Sequence, residues 1–129
     1  MTTFRNPSAI APPVGAYSHS VHVSRPGQWL HVAGQIGVDA HGSLAAGVQN
    51  QADAAWKNLL AILADADMGV QHLVKITTYL LDAKNLPAVN AVRKEYLDEH
   101  RPAATLVVVK ELARPEWLFE IEATAFKED

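Results

Sequence analysis

The chain has 129 residues, of which 49% are hydrophobic and 19% are charged, and its formal net charge is -3. This length and composition predict one globular domain over residues 1–129, and an acidic balance without any basic block argues against a nucleic-acid-binding protein. No apolar run approaches the roughly 18 residues of a membrane span, Cys is absent, and the first residues lack a signal-peptide pattern, so we expect a cytoplasmic protein without disulfides.

The first part of the chain predicts short strands and loops. A short strand near Thr3 precedes a loop over 6–18 that is rich in Pro and Gly. Two β-type runs follow, over 19–24 and 29–37, and the Pro-Gly turn between them predicts a β-hairpin. Residues 38–47 form a second loop.

Two amphipathic helices are predicted, with a strand rich in β-branched residues between them, over 72–82. The first helix covers 48–69. Its apolar stripe comprises Ala55, Leu59, Ile62 and Leu63. The second helix covers 85–100, where Asn85 is a suitable N-cap and Pro87 fits the first turn.

Two further strands are predicted over 104–112 and 118–126. The first is so apolar that we expect both of its faces to be covered. Strands in runs with helices between them predict an α+β fold, in which one sheet carries both helices on one face. The other sheet face also carries Val, Leu and Ile side chains, so self-association is the simplest way to cover it.

Glu120 and Glu122 lie two residues apart in the last predicted strand, so their side chains share one sheet face. Paired acids on a solvent-facing rim cost little, and this structural interpretation suits Glu122 best. Glu120 lies deeper in the strand, where a carboxylate in a cleft can act as an acid or base or can orient a water. The spacing alone leaves both interpretations open.

Asn90 and Gly34 are the other residues that the pattern singles out. Asn90 lies four residues after Leu86 and seven before Leu97, which places its amide on the apolar stripe of the second helix. A buried amide needs partners, either in a neighbouring loop or on a ligand. Gly34 interrupts a regular strand, which is typical of a bulge or of a close approach of backbone or ligand, whereas Gly37 suits a strand end.

The sequence predicts neither a metal site nor a cofactor. The six histidines are scattered without the spacings of metal ligands, and no GxGxxG pattern is present. Ser18 and Ser20 lack the context of a nucleophile elbow. The residues alone therefore indicate an α+β oligomer without assigning an activity.

Four segments, in chain order, form a more specific pattern. They are PPVGAYSHSVHV near the start, VAGQIGVD after the predicted hairpin, LPAVNAVRKEYLDEHRPAATLVVV in the middle and FEIEATAF at the end. Together they resemble the RidA/YjgF family of reactive intermediate deaminases over nearly the whole chain. The resemblance implies a chorismate-mutase-like α+β fold and a homotrimer whose sheets surround a central barrel, with three ligand clefts between subunits.

The resemblance also assigns cleft residues, position by position. It implies that Glu120 is the carboxylate of the last strand that faces each cleft. Tyr17 and Asn90 match polar cleft residues of the family. The glycine of the family's Ser-Gly-Gln segment matches Gly34, whereas its serine position holds Ala33 in this chain.

One position departs from the family pattern. Active imine deaminases carry an arginine two residues after the proline that opens the penultimate strand, and this position is Ala104 here. The planar fork of that arginine binds the substrate carboxylate, and losing such a contact costs about 2–5 kcal/mol. Leu106 continues the same strand face, so we expect an apolar cleft wall and an arginine-lacking branch of the family. Arg93, Arg101 and Arg114 are the candidate substitutes, and each is expected at the surface.

Two functions follow, and the sequence leaves both open. In the first, the cleft hydrolyses an enamine or imine, and the small-molecule ligand is less anionic than a 2-imino acid. Glu120 would activate water, Tyr17 and Asn90 would hydrogen-bond the ligand, and the Gly34 backbone would pack against it.

In the second function, the trimer binds a metabolite or a protein partner without turnover. The two lost polar cleft positions favour this alternative. Older family labels, ribonuclease and translation inhibitor, imply a third function, against which the acidic balance argues.

Overall fold

The computed structural model describes every residue from Met1 to Asp129 and contains two α-helices and six β-strands. The strands are β1 (Thr2–Arg5), β2 (Ser20–Val23), β3 (Gly27–Gln35), β4 (Leu73–Leu80), β5 (Ala103–Val108) and β6 (Phe119–Glu128). The helices are α1 (Gly47–Asp65) and α2 (Leu86–Leu97), and short 3-10 turns at Val70–His72 and Ala83–Asn85 precede β4 and α2. Both helices pack on one face of a mixed sheet, which confirms the predicted α+β class.

The main sheet has four strands in the order β3–β6–β4–β5. β6 runs antiparallel to both of its neighbours, whereas β5 runs parallel to β4. A parallel pair needs a crossover connection, and α2 supplies it between β4 and β5. This crossover places α2 beside the edge strand β5, where a cleft opens.

The predicted hairpin between the second and third strands does not form. β2 pairs with β1 in a separate two-stranded sheet, opposing Val23 to Thr2, whereas β3 pairs with β6. A turn signal identifies a change of chain direction, but it does not identify the pairing partner. β6 offers β3 a far longer ladder than the four residues of β2, and this pairing brings Val32 into the core.

The core lies between the helices and the sheet. α1 contributes fully buried Ala55, Leu59 and Leu63, as its apolar stripe predicts, while Ile62 is only partly buried. β4 and β6 contribute their helix-facing side chains, namely Leu73, Ile76, Leu80, Phe119, Ile121, Ala123 and Ala125. Burial of this apolar surface is the main favourable term in folding. Neither helix is long and apolar enough to cross a bilayer.

The sheet face opposite the helices is uncovered in the single chain, as the sequence predicts. Trp29 is 52% exposed and Val107 is 41% exposed. The expectation that both faces of β5 are covered is therefore wrong for one chain. β5 is an edge strand, and it ends at Val108 instead of continuing to residue 112.

We expect Leu59→Ala to lower the free energy of unfolding by about 2–5 kcal/mol, because it leaves a cavity at a fully buried position. The matched change Leu60→Ala, at a partly buried position of the same helix, should cost clearly less. Urea unfolding at one fixed protein concentration, followed by far-UV circular dichroism, measures both losses. Equal losses in the two variants would contradict the placement of the α1 stripe.

Candidate functional site

A cleft of about 640 Å³ opens between α2, the start of β5 and the loop that precedes β2. Four of the predicted site residues line it: Tyr17 from the loop, Asn90 from α2, and Ala104 and Leu106 from β5. Residues from three distant parts of the sequence thus meet in one cavity. The crossover from β4 through α2 to β5 is what brings them together.

Ser18 anchors the loop that carries Tyr17. Ser18 is 3% exposed, and its hydroxyl donates a hydrogen bond to the Arg101 carbonyl at 2.6 Å. On the other side of the loop, Arg93 Nη2 donates to the Ala16 carbonyl at 2.8 Å. These bonds connect the loop to the segment before β5 and to α2, so Tyr17 is held at the cleft.

Asn90 lines the cleft but is exposed, so the prediction that its amide is buried is wrong. The buried face of α2 consists of Val89, Val92 and Leu97. Asn90 follows Val89 by one residue, which turns its side chain by about 100° away from the core. Leu86 and Leu97, which defined the predicted stripe, both line the cleft, so that stripe marks the cleft wall as well as the core.

Glu120 and Gly34 meet on the open face of the sheet. The register of β3 against β6 shifts between Val32 and Gln35, so Ala33 and Gly34 form a bulge. A Cβ atom on Gly34 would overlap Glu120 Oε2, so the site accepts only glycine while this carboxylate keeps its place. The predicted bulge is confirmed at Gly34, and the group that approaches it closely is the side chain of Glu120 and not a backbone segment.

Glu120 and Glu122 share a face but differ in environment. Tyr79 Oη donates a hydrogen bond to Glu122 Oε1 at 2.8 Å, and this bond raises the pKa of Tyr79. Glu120 is half-buried, and burial, together with the charge of Glu122, raises the pKa of its carboxyl group. Glu122 is therefore engaged by a tyrosine, whereas Glu120 is free and shifted towards protonation.

The predicted site residues fall into two groups on opposite faces of the sheet. The helix-side cleft contains Tyr17, Asn90 and the two β5 residues. Glu120, with Gly34 and the exposed Ala33 beside it, lies on the open face. A single chain therefore does not bring the carboxylate together with the tyrosine and the asparagine.

Cations line the cleft, so the expected apolar wall describes only one side of it. Ala104 and Leu106 pack against the core and present apolar surface, as predicted. Arg93 and Lys94 reach the cleft from α2, and Arg101 reaches it from the segment before β5. Sequence reasoning placed these arginines at the surface because it cannot show that a cavity opens there.

Of the three arginines that the sequence left as candidate substitutes for the family arginine, Arg93 and Arg101 line the cleft. Arg114 does not: its guanidinium carbon lies 5.7 Å from the ring centre of Trp117, in an exposed turn. The sequence could have indicated that Arg93 reaches the cleft, because Arg93 follows Asn90 by three residues and so shares its side of the helix. The segment around Arg101 has no periodicity that could have assigned it to the cleft.

The histidines are dispersed, and no group of three or more His, Asp or Glu side chains is close enough to hold a metal ion. A ring nitrogen of His19 lies 2.7 Å from the Ala11 carbonyl, and one of His100 lies 2.7 Å from the Leu73 carbonyl. Each of these two rings therefore lies within hydrogen-bond distance of a backbone carbonyl group.

Comparison with known proteins gives consistent matches. Residues 8–127 match the family model described as endoribonuclease L-PSP. The chain is 36% identical to a RutC family protein of Pyrococcus abyssi over 90% of each chain. It is 37% identical to the rat 2-iminobutanoate/2-iminopropanoate deaminase, over 97% of this chain and 87% of the relative.

Solved structures agree with these matches. A Rid family protein of unknown function from Yersinia pestis superposes with a TM-score of 0.87 at 33% identity, over 98% of each chain. TdcF of E. coli with bound serine superposes with a TM-score of 0.73 at 30% identity, over 90% of this chain and 91% of that one.

Glu120→Gln should change how stability depends on pH. Because burial raises the pKa of Glu120 above its unfolded value, its contribution to stability is complete below the unfolded pKa and is lost as pH rises through the folded pKa. The wild type should therefore lose stability relative to Glu120→Gln as the pH rises above the ordinary pKa of a glutamate, about 4.3. Thermal unfolding at several pH values measures the difference.

The exposed Glu111 provides the control for net charge in this comparison. Glu111→Gln should not reproduce the pH-dependent gain. A difference between wild type and Glu120→Gln that stays constant with pH would show that Glu120 ionises as freely as in the unfolded chain.

Proposed function

This chain belongs to the Rid family, also described as endoribonuclease L-PSP, and from that membership we propose that it hydrolyses a small imine or enamine to a carbonyl compound and ammonia. The deaminase name of the rat relative supports this reaction type. The observation that carries the proposal is the state of Glu120: a half-buried carboxylate with a raised pKa, beside a glycine whose missing Cβ leaves room for its Oε2 atom. A carboxyl group with a raised pKa is suited to general acid–base work.

The proposed active site is completed by a second copy of the chain. The helix-side cleft holds Tyr17 and Asn90, and the open face holds Glu120, so one chain offers two half-sites that cannot meet. The uncovered sheet face, with Trp29 and Val107 exposed, needs a partner in any case. A trimer of the kind that the family resemblance implies would cover this face and set Glu120 of one copy against the cleft of the next.

The chemistry assigned to these groups is water addition to a C=N bond. Glu120 accepts a proton from water as the water oxygen bonds to the imine carbon, and the imine nitrogen takes up a proton. In the resulting carbinolamine the nitrogen takes up a further proton, from the Glu120 carboxyl group, as the C–N bond breaks. The hydroxyl proton passes to water, the C=O bond forms, and ammonia leaves. Tyr17 and Asn90 would hydrogen-bond the substrate during these steps, while the Gly34 backbone packs close to it.

A second candidate function is metabolite binding without turnover. Ala33 favours it, because this exposed position lacks the hydroxyl that the family resemblance implies there. Serine bound to E. coli TdcF supports a cleft that holds a small amino acid-like molecule. A ribonuclease role is less well supported, because the chain carries a net charge of -3.

We expect Glu120→Gln to reduce imine hydrolysis by about 10²–10⁴-fold, the range typical of losing a general acid–base group. An amino-acid oxidase would generate 2-imino acids, and the protein would compete for them with semicarbazide. Glu122→Gln is the matched control on the same strand face and should keep most of the turnover. Unchanged turnover in Glu120→Gln would assign Glu120 to structure, and an inert wild type would favour the binding function.

Light scattering should give a particle of three times the 14.0 kDa of one chain. Val107→Asp should weaken the assembly, because it places a charge on the exposed apolar face. Ile10→Asp changes an apolar residue in the N-terminal loop that is even more exposed than Val107, and it should leave the assembly intact. A monomeric wild type would remove the completed cleft and with it the proposed active site.

A further inference from the structure

Arg93 carries a buried donor that the chain leaves unpaired. Its Nε atom is shielded from solvent without a hydrogen-bond partner, and no other buried side-chain nitrogen or oxygen is in this state. Buried polar atoms are nearly always hydrogen-bonded, because an unpaired one retains the cost of its lost hydration. The Nε donor of Arg93 therefore needs an acceptor that the single chain does not provide.

The guanidinium of Arg93 also lacks a counter-ion. The three ion pairs of the molecule lie elsewhere and do not involve Arg93, Arg101 or Asp98, the one acidic residue at the cleft. The only hydrogen bond of the Arg93 side chain, from Nη2 to the Ala16 carbonyl, uses one of its five N–H donors.

Arg93 and Arg101 together make the cleft attractive to an anion. Burial and the nearby charge of Arg101 lower the pKa of Arg93, yet an arginine stays charged at neutral pH. Neither arginine forms an ion pair with a carboxylate, so the two positive groups repel one another in this partly buried site. A bound anion would offset that repulsion and would accept hydrogen bonds from the guanidinium N–H groups that face the cleft.

Arg93 lines the same cleft as Ala104, the position at which the family resemblance implies an arginine. Arg93 lines it from α2 and Ala104 from β5. The methyl group of Ala104 is small, so it leaves the volume between the two walls available to a ligand. The long arginine stem lets the charge of Arg93 reach that volume from the helix.

We propose that Arg93 binds the substrate carboxylate in this cleft, in place of the arginine that the family resemblance implies at Ala104. The substrate class is then a small anionic imine or enamine, such as a 2-imino acid, and not the less anionic ligand that Ala104 alone suggested. Arg101 adds positive charge without making the main contact. This inference rests on the proposed function, since it takes the cleft to be the substrate site.

Two stable probes separate charge recognition from general binding. They are 2-oxobutanoate, which keeps the carboxylate of the expected product class, and 2-oxobutanamide, which has nearly the same shape without the charge. Calorimetric or NMR titration of the full-length protein gives a Kd for each probe. The variants are Arg93→Leu, Arg93→Lys, Arg101→Leu and the double variant Arg93→Leu/Ala104→Arg, with Arg114→Leu as the control outside the cleft.

We expect Arg93→Leu to weaken 2-oxobutanoate binding by about 30-fold or more, the lower limit for truncating one partner of a hydrogen-bonded charge pair. Binding of 2-oxobutanamide should change little. Arg93→Lys should fall between, because it keeps the charge but loses the planar fork. Arg101→Leu should lose less than Arg93→Leu, Arg114→Leu should match the wild type, and Ala104→Arg should restore part of the carboxylate binding.

The amide probe guards against a purely structural effect of Arg93, which also holds the loop at Ala16. If Arg93→Leu weakens both probes equally, Arg93 positions the loop and the inference is wrong. It is also wrong if Arg93→Leu binds 2-oxobutanoate as well as the wild type, if Arg101→Leu shows the larger loss, or if the wild type binds the amide more tightly than the acid.

Imine hydrolysis, measured on the same variants, distinguishes this inference from the proposed function. Arg93-dependent binding of 2-oxobutanoate in a protein that hydrolyses no imine would support the carboxylate site and refute the enzyme. Normal hydrolysis of 2-imino acids by Arg93→Leu would support the enzyme and refute the role of Arg93.

Discussion

The pairing of β6 between β3 and β4 is the interaction on which the rest of the structure depends. Along this strand, side chains alternate between the buried helix side and the open side, so Phe119 and Ile121 are buried while Glu120 and Glu122 are not. A shift of one residue in register would place both carboxylates in the core and expose the apolar set. The burial of one face of β6 therefore fixes the register of the main sheet and the position of Glu120 at once.

The same alternation divides the candidate site. Because the sheet separates the two faces, the residues that point towards α2 form a cleft, and the residues that point away from it form a second surface around Glu120 and Gly34. The apolar side chains of that second surface, Trp29 and Val107, give a physical reason for association. In the proposed trimer, stability of the assembly and completion of the site are thus linked through one face of one sheet.

In the proposed role of Arg93, the cleft keeps a positive charge although the residue that carries it has changed. A guanidinium sits at the end of a long flexible stem, so a helix residue such as Arg93 and a strand residue such as Ala104 can both serve one cavity from opposite walls. Comparing single sequence positions, which finds alanine where an arginine is expected, does not detect this exchange. The unpaired Nε of Arg93 is what reveals it.

Local sequence patterns were sufficient to predict the elements themselves, because the nearby core imposes helix and strand periodicity. The α1 stripe around Leu59, the β6 alternation and the bulge at Gly34 could all be predicted from the sequence. The pairing of strands and the exposure of individual side chains could not. β2 joins β1 and not β3, Asn90 faces the cleft and not the core, and Arg93 enters a cavity. These features depend on which distant segments come together. The length of the strand pairing and the crossover through α2 determine that, and no short stretch of sequence encodes the one or the other.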